Sequence, residues 1–445
     1  MRHLDRALPT CVVALMLFAL GAAPANAQST AQIPLQFDFL DPGARSLGLG
    51  SAFVAVADDA TAAFTNPAGL TSLIKPEFSA ELRYRRLETP YLAGGRISGT
   101  VTNIGADTIA GPLYVDSIDS ASLPYYLSFV YPAGRWRLAG YRHELLNQEN
   151  SFASAGAFEQ VIFAGNPTNA ARDNALEGTR DLQIENYGGT VAYRINSALS
   201  VGAGVSIYHL DLTSNFARYG FVGNVFGPVD HSSVGSTASQ TGSSTQAGVN
   251  AGLLWMVAPK VHVGAVFRQG VSLAFTQTDV VPDRPTLTRT GDFRSPNVFG
   301  AGIRVQPRDD WSFSVDYDRI QYSRVKQDFI DFQAISTGTQ DQLSIEDANE
   351  VHAGAEYVLT KVAHHPGIRF GVWYDPDHAV TYLSDGSNSQ IDVRLKATLP
   401  GGKSLVHYCA GFGMPLSDQF EFNIGTDMSS QRRYFSASVV ARFGK

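Results

Sequence analysis

Few residues in this chain have the type and spacing for chemistry. His364-His365, with Asp375, Asp377 and His378 downstream, offers the imidazoles and carboxylates that hold a transition metal. His143-Glu144 begins a zinc-protease pattern, but no second histidine follows one helical turn later. Gly43 and Gly48 have the glycine spacing of a phosphate loop, yet Leu49-Gly50 stands where Lys-Ser/Thr is required. No Gly-x-Ser-x-Gly occurs, and no nucleophile is matched to a base. Acidic residues near 326–350 are candidate calcium ligands, although solvated loop charge is the plainer reading. The sequence therefore predicts no catalytic residue, no metal site and no cofactor, and a hydrolase finds no nucleophile-base pair to rest on.

The elements that would have to position such residues are strands. In LSVGAGVSIYHL, Leu199, Val201, Ala203, Val205 and Ile207 share one face, opposite Ser200, Gly202, Gly204, Ser206 and Tyr208. QAGVNAGLLWMV alternates in the same way, and Phe435, Ala437, Val439, Ala441 and Phe443 align near the end. Such alternation predicts strands near 77–88, 123–132, 135–147, 180–195, 199–217, 245–257, 260–278, 296–306, 310–325, 347–360, 367–376, 403–414, 418–429 and 432–443. That is fourteen, an even number. Linkers after the even strands are short, while those after the odd strands, except the last, are long. An outer-membrane barrel has this turn pattern, and a β-sandwich has no reason to adopt it. Trp136, Trp255 and Trp311 all adjoin short turns, as expected for rings at one membrane rim.

Composition agrees. Arg2 and Arg6, the apolar run Cys11 to Gly21 and Ala25-Asn26-Ala27 read as a signal peptide cleaved near Gln28. Removing Arg2, Arg6 and Asp5 from 34 basic and 41 acidic residues leaves a net charge near −8, with no general attraction for nucleic acid. Only Cys409 remains after cleavage, so no intrachain disulfide can form. Charge is sparse at 17% and glycine abundant at 42 residues, with no run long and apolar enough for a membrane helix. The expected fold is an all-β transmembrane antiparallel barrel of about fourteen strands in the outer membrane, with lipid and lipopolysaccharide as surroundings.

One segment does not read as strand. Residues 28–76 precede the first strand, and ADDATAAFTNPAGL at 57–70 is rich in small residues. Gly43, Gly48 and Gly50 suit close backbone turns. Asp58-Asp59 is placed to cap a short helix from Ala60 to Phe64. Asn66 is placed as N-cap of a second, with Pro67 in its first turn. The expected plan is signal peptide 1–27, lumenal plug 28–76 and barrel 77–445.

Gly43-Ala44-Arg45, Leu47-Gly48-Leu49-Gly50 and Ala57-Asp58-Asp59-Ala60 leading into Asn66-Pro67-Ala68-Gly69-Leu70 resemble the N-terminal hatch of the FadL/TodX family of outer-membrane channels. SPNVFGAGIRVQPRDDWSFSVDYDRIQYS, NEVHAGAEYVL and GIRFGVWYDP resemble its strand-turn-strand segments. The resemblance implies a fourteen-stranded barrel, a plug, and passive uptake of long-chain fatty acids or aromatic hydrocarbons. The solute would pass an apolar pocket against the plug and leave sideways through the wall. It assigns the plug motif to Asn66, Pro67, Ala68 and Gly69. Phe53, Phe64 and Leu70 are candidates for apolar ligand contact or for plug-core packing. DPGARSLGLGSAF also resembles the opening of PorV-type barrels, which implies an alternative role as a structural or shuttle barrel in protein secretion. That alternative predicts large apolar loop surfaces and no internal pocket.

Overall fold

A strand in lipid must give every backbone N–H and C=O to a neighbour, and the alternating segments do so by closing on themselves. The computed structural model describes residues 39–163, 165–331, 339–387 and 389–444. The expected signal peptide and residues 28–38 lie outside them. Fourteen antiparallel strands form the wall. They are β1 (Glu77–Gly95), β2 (Pro112–Ala133), β3 (Trp136–Ser154), β4 (Ala175–Arg194), β5 (Leu199–Phe221) and β6 (Val229–Ala258). Next come β7, in two pieces (Val261–Arg268 and Ser272–Val280), and β8, also in two (Leu287–Arg294 and Val298–Arg308). The series ends with β9 (Trp311–Ile320), β10 (Ala348–Val358), β11 (Gly367–Asp375), β12 (Leu405–Pro415), β13 (Phe420–Met428) and β14 (Arg432–Arg442). Pairing of β14 with β1, from Glu77↔Arg442 to Leu87↔Arg432, closes the cylinder.

The strands are unequal, and their outward residues give the reason. Strands β9 to β14 have 9 to 11 residues, enough to cross a bilayer at a tilt. Strand β5 has 23 residues. Its outward series changes from Val205 and Ile207 to His209, Asp211, Thr213 and Asn215. The lower part is a lipid face, and the upper part continues beyond it as a water-facing wall. At the opposite rim Trp136 and Trp255 are about half exposed, and Trp136 and Trp311 lie 4.5 and 4.7 Å from Tyr193 and Tyr357. The fourth tryptophan, Trp373, points inward: it stacks on His407 at 3.9 Å and donates to Asp427.

Connections on the short-strand side lean over the bore. Residues 321–347 begin with an inward turn, Tyr322–Val325, so the expected strand to 325 stops at Ile320. Leu343–Ser344 pairs with Thr381–Tyr382. The helix Gln390–Thr398 reaches the tall wall, where Ala397 accepts a hydrogen bond from Tyr114 and Arg394 pairs with Glu159 and Asp173.

The N-terminal segment lies across the bore against inward glycines. Gly202 of β5 and Gly252 of β6 are directly opposite one another, as are Gly354 of β10 and Gly371 of β11, and Gly411 of β12 and Gly425 of β13. A Cβ at Gly252 would stand 2.1 Å from Asn66 Oδ1, and one at Gly371 2.2 Å from the Gly50 nitrogen. At Gly371 backbone meets backbone, and at Gly252 backbone meets the Asn66 side chain, so neither position leaves room for a Cβ. Gly371→Val is expected to cost about 1–3 kcal/mol through overpacking and to open residues 44–52 to protease. Gly189→Ala, with nothing within 4 Å of the added methyl, is expected to leave cleavage unchanged. Limited proteolysis of the folded barrels checks both.

Candidate functional site

The segment is short helices, as its composition requires, but their caps differ in part from expectation. Asn66 caps the 3-10 turn Pro67–Ser72, its Oδ1 accepting from the Ala68 N–H at 3.2 Å. Its amide also donates to Val54 O at 2.8 Å and to Leu253 O of β6 at 3.2 Å, tying the turn to the wall. The helix before it spans Ala62–Thr65, not Ala60 to Phe64, and has no side-chain cap. Asp59 turns back on Thr61, accepting from its backbone at 2.9 Å, while Asp58 pairs with Arg45 and Arg304. Two cations near Asp58 outbid a helix end, because full charges attract more strongly than peptide partial charges.

Wall side chains satisfy the segment's own backbone. Glu81 accepts from Gly43 N, Glu77 from Ala60 N, and Asp316 from Val54 N, at 2.6 to 2.7 Å. Ser128, Thr190 and Arg137 donate to the carbonyls of Ala60, Ala63 and Leu73. His352 Nδ1 lies 2.7 Å from Gly50 O. An ion network adds to this: Arg45 meets Glu356 through two nitrogens, at 3.1 and 2.9 Å, and Arg369 meets the same carboxylate at 2.7 Å.

An apolar cluster of wall side chains packs against the segment. Asn66, Pro67, Ala68 and Gly69 are all buried, with Gly69 packed against the Ala57 carbonyl. Phe53, Phe64 and Leu70 are buried in one continuous cluster with Leu182, Leu212 and Phe275 of the wall. Phe64 lies 4.4 Å from His143 and 5.9 Å from Tyr141, with Tyr125 4.9 Å beyond the histidine. Arg45 lies 5.6 Å from the Phe53 ring.

The aromatic group marks a change in the wall. Strands β2 and β3 pair from Ala133↔Trp136 only as far as Tyr126↔His143. Beyond that point β2 stays with β1 and β3 stays with β4, so the two strands part. Pro124, which has no N–H, stands at the fork, and register shifts at Glu81/Leu82 and Glu144/Leu146 flank it. Side chains bridge the parting. Asp119 pairs with Arg85 and accepts from Glu149 N at 3.0 Å, Arg85 donates to Asn147 at 2.9 Å, and Ser117 accepts from Ser151 N at 3.3 Å. A second interruption, between Thr241↔Thr276 and Asn250↔Arg268 of β6 and β7, coincides with the split of β7.

Sequence reasoning named Phe64 as a candidate for ligand contact or plug-core packing without placing it at this parting, and it missed Tyr125, Arg85 and Asp119. Pro124 inside an expected strand was the available signal. His364 and His365 sit in the β10–β11 turn, whereas Asp375 and His378 lie 3.2 Å apart at the far end of β11. Among the described residues no group of three or more potential ligands gathers for a metal. Of the loop carboxylates, Asp347 serves Arg319 and Asp331 serves Lys326.

Comparison with known proteins extends the geometry. Residues 161–382 match the family described as outer membrane protein transport protein (OMPP1/FadL/TodX). The fold is similar to that of a Pseudomonas aeruginosa FadL homologue, at 13% identity and a TM-score of 0.60 over 92% of this chain and 100% of that one. It is also similar to the toluene transporters TbuX of Ralstonia pickettii (16%, TM-score 0.55) and TodX of P. putida (15%, TM-score 0.55), with the same coverage of both chains. No curated protein matches the sequence.

Two expectations follow. Glu356→Ala leaves Arg45 and Arg369 buried without their shared carboxylate and should cost about 3–5 kcal/mol, read as faster hydrogen exchange at residues 44–48. Burial raises the Asp58 carboxyl, but Arg45 and then Arg304 more than offset this and hold it below its ordinary value. A lowered folded-state value gives stability that is present above about pH 4 and lost as pH falls through it. Acidification below about pH 4 should therefore lower the protection of residues 44–48 relative to their intrinsic exchange rates at each pH, and Asp58→Asn should remove that part of the response.

Proposed function

We propose that this chain, which belongs to the OMPP1/FadL/TodX family of outer-membrane transport proteins, is a passive channel for small hydrophobic molecules, with its N-terminal segment as the gate. As a family member it is a transport protein of the outer membrane and not an enzyme. The observation that carries the finer reading is the parting of β2 from β3 directly beside Phe64, His143 and Tyr125. A wall held there by Asp119 and Arg85 instead of a backbone ladder can separate without unzipping a sheet.

In this reading a solute enters from outside and leaves water for the apolar bore, gaining about 25 cal/mol per Å² of apolar surface buried. It moves down to the N-terminal segment, whose small residues and close glycine contacts stop an open aqueous path. It then turns outward past Phe64 and between β2 and β3 into lipid. The driving force is the concentration gradient alone. Asn66, Pro67, Ala68 and Gly69 hold the gate in place, Phe64 lies on the path, and Phe53 and Leu70 support it from within the segment.

Uptake tests the proposal. In cells lacking a hydrophobic-compound channel, expression should raise toluene or dodecanoate uptake without raising glucose uptake. Phe64→Arg sets a charge in the aromatic group and should lower that uptake about tenfold, equivalent to 1.4 kcal/mol, while the barrel remains folded. Undiminished uptake by a folded Phe64→Arg barrel would remove this route. Co-isolation with a secretion complex and no effect on either solute would favour the docking-barrel alternative.

A further inference from the structure

The proposed route needs an entrance from the medium, and one helix lies across it. Gln390–Thr398 belongs to the connection between β11 and β12, yet it meets β2 and the β3–β4 connection on the other side of the cylinder. Beneath it, Leu395 and the following Leu399 are buried in the apolar cluster that also holds Phe64, Leu182, Leu212 and Phe275. Ile391 and Lys396 of the same helix are exposed. The helix is thus an outer cover of that cluster, apolar below and wet above.

Polar contacts hold it there. Arg394 pairs with Glu159 and lies 2.8 Å from Asp173, and Ala397 O accepts from Tyr114 of β2 at 2.8 Å. Glu159 lies in, and Asp173 just after, the hairpin of Phe158–Phe163 and Asn166–Arg172 that joins β3 to β4. Both carboxylates are buried, so each needs a cation close by. Arg218 of β5 attracts Asp173 from the wall side, and Arg394 serves both carboxylates. Lys396, the helix's other cation, is taken by Asp392 one turn back at 2.8 Å. Glycines bracket the helix. Gly386 and Gly401 are left-handed, at φ 79° and 82°, and a Cβ added at Gly386 would meet nothing within 4 Å. Such residues absorb backbone rotation with little strain.

We infer that the helix Gln390–Thr398 is a lid over the bore, hinged at Gly386 and Gly401 and latched by Arg394 across Glu159 and Asp173. Opening breaks the ion bridge and the Tyr114 bond, and it lifts Leu395 and Leu399 off the cluster. A hydrophobic solute then takes the place of the two leucines, which offsets the apolar cost of opening and leaves the charges free to pair again. Closure over the solute shuts out water before the solute moves down. The inference rests on the proposed channel function and adds control of its entrance.

The test uses the full-length barrel in cells lacking a hydrophobic-compound channel, with radiolabelled toluene and dodecanoate as probes. Cysteines from Tyr114→Cys and Ala397→Cys are joined by a bis-maleimide whose spacer contains a disulfide, while Cys409 is buried and stays out of the reaction. Cross-linking should lower uptake of both probes about tenfold or more, and reductant should restore it, with no change in either single variant. In the purified barrel, Arg394→Gln should speed hydrogen exchange at residues 390–398 about tenfold, and in cells it should speed uptake, with Arg394→Lys closer to wild type. Heat-dependent gel mobility confirms that each variant is folded. Equal uptake before and after cleavage of the cross-link, or unaltered exchange and uptake in Arg394→Gln, overturns the lid and leaves the channel standing. Failure of wild type to take up either probe overturns the channel reading and the lid together.

Discussion

Within lipid a peptide group that loses its partner finds no water to replace it, so the backbone ladder of a barrel is under a stricter rule than that of a soluble sheet. Thirteen of the fourteen seams, counting closure of β14 on β1, run as paired strands over the membrane-facing length or are broken only where β7 is split. The seam between β2 and β3 is different. It stops after Tyr126↔His143, at a proline, and side chains take over the backbone's partners. The rest of the molecule is arranged around that exception. A carboxylate and a guanidinium stand in for ladder bonds, aromatic rings gather beneath them, and the helix Ala62–Thr65 of the N-terminal segment reaches the same point through Phe64.

The same rule explains how a segment without strands can occupy the bore. Inside the cylinder its peptide groups are as cut off from bulk water as those of the wall, and short helices leave many of them unpaired. The wall provides for them: Glu77, Glu81 and Asp316 accept, and Ser128, Arg137 and Thr190 donate. These residues are buried polar groups on a lumenal face, and each has a named backbone partner. The glycines complete the arrangement by letting the two backbones approach closely enough for such bonds to form.

The strand count and the tryptophan rim were legible because each follows from local chemistry, period-two burial and amphipathic rings near turns. The cap at Asn66 was legible for the same reason. The strict alternation of connection lengths was not borne out, since residues 222–228 and 281–286 form short connections where long ones were expected. What was not legible depends on partners distant in sequence. Gly371 looks like any small residue in a strand until Gly50, more than 300 positions away, is placed against it. Asp58 reads as a helix cap because the sequence does not show Arg304 beside it. Strand ends were underestimated because the outward face of β5 and β6 turns polar above the lipid, where the amphipathic signal fades while pairing continues.

That difference in strand length gives the molecule an uneven skyline. Twelve more residues in β5 than in β12 raise one flank by roughly 30 Å once tilt is allowed for. The raised flank presents Ser, Thr and Asp outward above the lipid-facing band, while the low flank ends nearer that band. An antibody or bacteriophage approaching from the medium would meet residues from the first half of the chain, and the second half would show little more than its overhanging connections.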